Sequence, residues 1–133
     1  MSKIRWPLVG TLSMSGVVYA WLTILAWIHG HEHWVALIIV ISIAIIAVFL
    51  EQRAPVRLAF VAGYGTALLA LWTQALFAPL YLQNNPAYAS IDVPFGLSMV
   101  SYTLAFSPVG GLIAGCLAAL IAWPLSQIAK RWR

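Results

Sequence analysis

The chain has 133 residues, of which 63% are hydrophobic and only 8% charged, seven Lys and Arg against three Asp and Glu. A soluble domain carries roughly 25% charged residues, and so few charges cannot cover a globule of this size. Composition therefore excludes a soluble domain, a disordered chain and a nucleic-acid binder. The net charge of +4 is of the kind that basic flanks of membrane spans produce. One cysteine, Cys116, excludes an intramolecular disulfide and a two-cysteine redox relay.

A helix crossing a hydrocarbon core of ~30 Å needs about 20 apolar residues. The first such run covers 7–28. Pro7 suits the first helical turn, where its missing N–H matters least, and Trp6 stands beside it as an interface anchor. The run is too long for a signal peptide's apolar core and is read as a retained signal-anchor. The second run, 34–50, opens at Trp34 and ends before Glu51-Gln52-Arg53. The third, 58–78, stops at Pro79. The fourth region, 96–129, is too long for one straight span. Ser107-Pro108 has the pattern of an N-cap followed by a first-turn proline, so the span is expected at 108–129. Residues 94–106 then form an interfacial helix or a kinked extension, at the end of an outer loop 79–107.

Lys3 and Arg5 precede the first run, Arg53 and Arg57 separate the second from the third, and Lys130, Arg131 and Arg133 follow the fourth. Segments 29–33 and 79–95 contain no Lys or Arg. The bias puts both termini and the middle loop in the cytoplasm. The expected fold is an all-α membrane protein of the inner membrane, one domain of four transmembrane helices in two hairpins, N-in and C-in. Trp27, Trp34, Phe77, Tyr81, Tyr88 and Phe95 would form the outer aromatic belt, and Trp6, Trp123 and Trp132 the inner one.

Small residues mark close helix contacts in lipid. Ser107, Gly111, Gly115 and Ala119 recur every four residues, Gly63 lies between Ala59 and Ala67, and Gly16 and Ala20 flank a polar stripe in the first span. These patterns bring spans one, three and four together and leave span two the most lipid-exposed. Packing within the chain is the preferred reading. Homo-oligomerisation or docking to a membrane-protein partner is the alternative.

Three polar features are candidate sites. His29-Gly30-His31-Glu32-His33 holds every histidine. His29, His31, Glu32 and His33 are ligand types for Zn, Cu or Ni, although the spacing matches no established motif and a polar turn is the simpler reading. Thr23, Thr73 and Gln74 share one depth, and Gln74 is the one amide well inside a span. A buried amide hydrogen-bonds across helices, so glue is preferred over a small-solute or lipid pocket. The segment 79–95, with Gln83-Asn84-Asn85 between prolines, is read as a structural cover rather than a partner-binding loop. No Asp, Glu, Lys or Arg lies within a span, which disfavours ion-coupled transport. No nucleophile–base pair, zinc-protease motif or phosphate loop is present. No cofactor is expected.

From Arg57 to Tyr88 a basic residue precedes a Gly/Ala-rich span that ends in Tyr81-Leu82-Gln83-Asn84-Asn85-Pro86. In this the chain resembles small bacterial four-span proteins of families without an assigned activity, and the resemblance implies no functional residue. In size and span number it also resembles small multidrug resistance transporters. Those carry a Glu in the first span, and this chain has none there. The function expected is that of a non-enzymatic accessory, assembly or interaction subunit. An oligomeric small-solute or lipid transporter, or a metal-handling protein, is the alternative.

Overall fold

The computed structural model describes residues 4–132. Lys3 and Arg133, used above for orientation, lie outside them. The described residues hold no strand. Helices α1 (Trp6–Ser13) and α2 (Ser15–Ile24) make one span with a single-residue interruption at Met14. Helix α3 (Glu32–Leu50) is the second span and α4 (Pro55–Leu76) the third. Short helices α5 (Ala78–Asn84) and α6 (Pro86–Ala89) and a 3-10 turn (Pro94–Gly96) lead to α7 (Met99–Arg131). Four helices are thus long and apolar enough to cross a membrane.

Two boundaries differ from the sequence reading, each for a local reason. The first helix ends at Ile24 rather than Ile28, because Ala26 adopts a left-handed φ of 56°. The fourth helix starts at Met99, so 99–106 extends it, the second of the two arrangements expected for 94–106, and Ser107-Pro108 is no helix start. Ser98 is the N-cap, accepting from the Ser101 N–H at 3.1 Å. Pro108 deprives the Leu104 carbonyl of its usual partner, and the Ser107 hydroxyl donates to that carbonyl at 2.8 Å. The helix therefore continues through the proline to a length of about 50 Å.

The third span is central. Its α4 packs along α7 on one side and along α1 and α2 on another, while α3 fills the gap against α4 and α7. Glycines set the approach. A Cβ at Gly63 would lie 2.9 Å from the Ala114 carbonyl oxygen, and one at Gly115 would lie 2.8 Å from that of Phe60. At Gly111 it would meet the Tyr64 ring at 2.9 Å, and at Gly16 the Thr66 backbone carbonyl. The small stripe of α7 is consumed inside the chain: Ser107, Gly111, Gly115, Ala118 and Ala122 are buried. Ala119 turns away and lines a groove with Arg57 and Lys130.

Spans one and four each pack on span three, as the small residues suggest. Span two is not the most exposed, since 28% of its apolar window is buried against 22% for span four. Val40, Ile43, Ala44, Ala47 and Val48 form its inner face. One end of the bundle carries Arg5, Arg53, Arg57 and Lys130. There the Arg5 guanidinium donates to the Leu50 carbonyl at 3.0 Å, a cation at a helix C-terminus. The other end carries the histidines and α5.

Candidate functional site: a cleft at the histidine end

The face of α4 formed by Thr66, Ala67, Ala70, Leu71 and Gln74 does not touch α3 along its whole length. Alanines there lack the bulk to fill the space. The result is a cleft of about 290 Å³ between α2, α3, α4 and α5. Its depth is mostly apolar, with Ile39, Val40, Leu71 and Ala114, and the Thr66 hydroxyl there donates to the Ala62 carbonyl of its own helix. Toward the histidine end it becomes polar, with Thr23, Gln74, Glu32 and three tyrosines, Tyr19, Tyr81 and Tyr88. That volume is at the lower end of the ~300–1,000 Å³ typical of small-molecule sites.

Helical spacing explains the wall. Tyr19 and Thr23 are one turn apart on α2. Glu32, Ala36, Ile39 and Val40 follow the i, i+4, i+7, i+8 line of one α3 face. Thr66, Ala70 and Gln74 do the same on α4. The Gln74 amide donates to the Thr23 hydroxyl at 2.6 Å, and that hydroxyl donates to the Ala20 carbonyl at 2.8 Å. Gln74 and Thr23, two members of the polar cluster expected at this depth, are thus joined across the helices. Thr73 does not join it: its hydroxyl donates to Leu69 of its own helix.

The early end of α2 leaves terminal carbonyls to be satisfied. Asn85, 2% exposed, donates to the Thr23 carbonyl at 3.0 Å and to that of Tyr81 at 2.9 Å. Asn84 donates to the Ile24 carbonyl at 2.9 Å. These two amides tie α5 onto the first span and so bring Tyr81 and Tyr88 to the cleft. Their rings are tilted by 35° with centroids 5.7 Å apart. The Tyr19 hydroxyl donates to the Glu32 carbonyl oxygen at 3.2 Å, which links α2 to α3 at the mouth. Burial pushes the Tyr81 phenol up to about 12, and nearby Tyr88, Glu32 and Tyr19 add to the effect.

The turn that holds the histidines is not gathered around a point. His29, His31 and His33 are exposed, whereas Glu32 opens α3 and faces the cleft. His29 Nδ1 stands 3.6 Å from Glu32 Oε1. Among the described residues no three His, Cys, Asp or Glu side chains are grouped to hold a metal ion. Four ligands in five residues, one of them folded inward by the helix, do not converge.

The sequence reading did not place Glu32, Tyr19, Tyr81, Tyr88, Asn84 and Asn85 in one site. A signal existed for Glu32, which shares a helical face with Ala36 and Val40. Comparison with family models, with curated proteins and with solved structures finds no match.

Proposed function

We propose that this chain is a non-enzymatic accessory protein of the inner membrane that binds a small amphipathic molecule in the cleft. In this reading the four spans form two hairpins, with both termini and the Glu51–Arg57 turn on the cytoplasmic side and the cleft opening outward. The observation that carries it is the gradient inside the cleft: apolar at Ala114 and Leu71, polar at Glu32, Gln74 and the tyrosines. Sites of this kind are mostly apolar with a few placed polar groups, and they recur between helices of bundles.

Binding is favoured over conduction because the space has a floor. Beyond Val40 the four spans close into a core of Ile43, Ala44, Ala47, Ala59, Ala62, Ala118 and Ala122. The small-residue stripe of α7 contributes to that closure, so a partner has no need to be invoked to cover it.

The test is a thermal-stability screen of the protein in lipid nanodiscs. The panel would comprise water-soluble amphipathic molecules that are cationic, neutral or anionic. A ligand raises the melting temperature in proportion to occupancy. At least one class is expected to give a saturable rise that Ala70→Phe, which fills the cleft, removes. If no class does so, the reading is wrong.

A further inference from the structure

We propose that the group recognised at the cleft mouth is an organic ammonium, held by the Glu32 carboxylate and the faces of Tyr19, Tyr81 and Tyr88. Its apolar stem points toward Ala114. This rests on the ligand-binding reading above and adds the charge and chemistry of the ligand.

The sign of the charge comes from what lines the space. Glu32 contributes a carboxylate, and no Lys or Arg lines the cleft. The described cations Arg5, Arg53, Arg57, Lys130 and Arg131 belong to the other end of the bundle. Along α4 alone, Arg57 and Gln74 are 17 residues apart, about 25 Å. An anion entering the cleft would meet a carboxylate with no cationic lining residue to offset it. A cation would meet its opposite charge.

The choice of an organic cation over a metal ion comes from the aromatic lining, Tyr19, Tyr81 and Tyr88. A hard divalent ion wants six or more oxygens, and no metal-type grouping exists among the described residues. Aromatic rings around a carboxylate instead suit a large, weakly hydrated ammonium through cation–π attraction. Here Tyr81 and Tyr88 pack on each other with centroids 5.7 Å apart, so an ammonium lies beside this pair and not between its rings, and Tyr19 is fixed by its bond to the Glu32 backbone. Among the described residues no hydrogen bond reaches Gln74 Oε1, whose partner nitrogen is engaged by Thr23. That oxygen is an acceptor for the N–H of a protonated amine, a contact that a quaternary ammonium does not make. His29 is exposed, with Nδ1 3.6 Å from Glu32 Oε1, and neither it nor His31 or His33 lines the cleft. His29 shares that oxygen without occupying the space.

An ammonium is carried both by free amphipathic amines, on an apolar stem, and by the phosphatidylethanolamine headgroup, where a phosphate adjoins it and would have to stay outside the cleft. The experiment separates them. Full-length protein is placed in nanodiscs of phosphatidylglycerol only, and equilibrium dialysis measures labelled benzyltrimethylammonium, with empty discs subtracted. Saturable binding is expected, with benzyl alcohol and benzoate binding much more weakly. Glu32→Gln is expected to weaken the cation by tenfold or more, and Glu32→Asp to recover part of the loss. Tyr81→Ala and Tyr88→Ala each lose roughly three- to thirty-fold, the cation–π range. Unchanged melting of Glu32→Gln shows that the fold is intact. If instead that variant unfolds, competition between benzyltrimethylammonium and benzoate on the unaltered protein decides.

Apparent affinity that falls as phosphatidylethanolamine is added assigns the site to the lipid headgroup. Constant affinity assigns it to a free cation. Either supports the ammonium assignment. No saturable cation binding, equal binding of benzoate, or full affinity in Glu32→Gln overturns it. A neutral or anionic ligand removed by Ala70→Phe would then leave the cleft a binding site for another chemistry.

Discussion

The two halves of the bundle are held together differently. Toward the basic end, all four spans contribute to a packed core: Val9 and Leu12, then Ile43, Ala44 and Ala47, then Leu58, Ala59 and Ala62, then Ala118 and Ala122. Toward the histidine end, the apolar cluster shrinks to Ala20, Ile24 and Ala70, with Ala75 and Ala78 buried apart from it. Hydrogen bonds take over there, from Gln74 to Thr23, from Asn84 and Asn85 to the end of α2, from Tyr19 to α3 and from Trp72 to Ser107 at 2.9 Å. In lipid, apolar burial between helices gives little drive, so contact must come from close packing or from polar bonds. Close packing leaves no space. Side-chain bonds hold helices at a fixed separation, and a cleft survives between them.

The largest effect expected from breaking this division is at Gly16. A side chain there meets the Thr66 backbone, which cannot turn aside as a flexible side chain would. Gly16→Leu should remove about 3 kcal/mol or more, at or beyond the usual range for overpacking. Loss of folded protein in a denaturant titration from mild detergent would show it. Gly10→Leu is the matched control, since nothing lies within 4 Å of its Cβ position, and it should leave the midpoint unchanged. Equal damage from both would mean that close approach at Gly16 does not hold the bundle.

A smaller and more local effect is expected at Asn85. Asn85→Ala removes two hydrogen bonds and leaves the Thr23 carbonyl without this donor, a change of about 1–3 kcal/mol. It should act on the histidine half alone. Hydrogen exchange should rise across 20–30 and 78–89 and stay constant across 40–48 and 58–63. Uniform acceleration would show one cooperative unit rather than two halves.

The packed half was the more legible from sequence. Glycine and alanine at four-residue spacing on spans three and four carry their contact directly in their identity, and what was missed there is the drift from Ala119 to Ala118 and the buried face of span two. The cleft was less legible because its parts depend on how helices end. Ala26 and the two asparagines terminate α2 four residues early, and that decides where Tyr81 falls. Glu32 reads as part of a histidine turn until α3 is known to begin with it. Pro108 reads as a start signal because interior prolines normally break helices. The Ser107 hydroxyl that permits its place in α7 is visible only in three dimensions.

Within the cleft wall, Gln74 and Thr73 offer a finer comparison between neighbours of similar polarity. Gln74→Leu should cost about 0.6–1.7 kcal/mol, the measured scale for such bonds in membranes, because the interhelical bond to Thr23 is lost. Thr73→Val should have the smallest effect, since its hydroxyl serves only the Leu69 carbonyl one turn back, and a helix keeps that carbonyl bonded through its own backbone. A double-mutant cycle isolates the difference. Gln74→Leu combined with Thr23→Val should fall short of the sum of the two single losses, since both remove one shared bond. Gln74→Leu combined with Thr73→Val should be additive within ~0.5 kcal/mol, even though the two residues adjoin in sequence. Coupling of Gln74 to Thr73 instead of Thr23 would mean that α4 is rotated by about one residue, some 100°, and Gln74 would then no longer face the cleft.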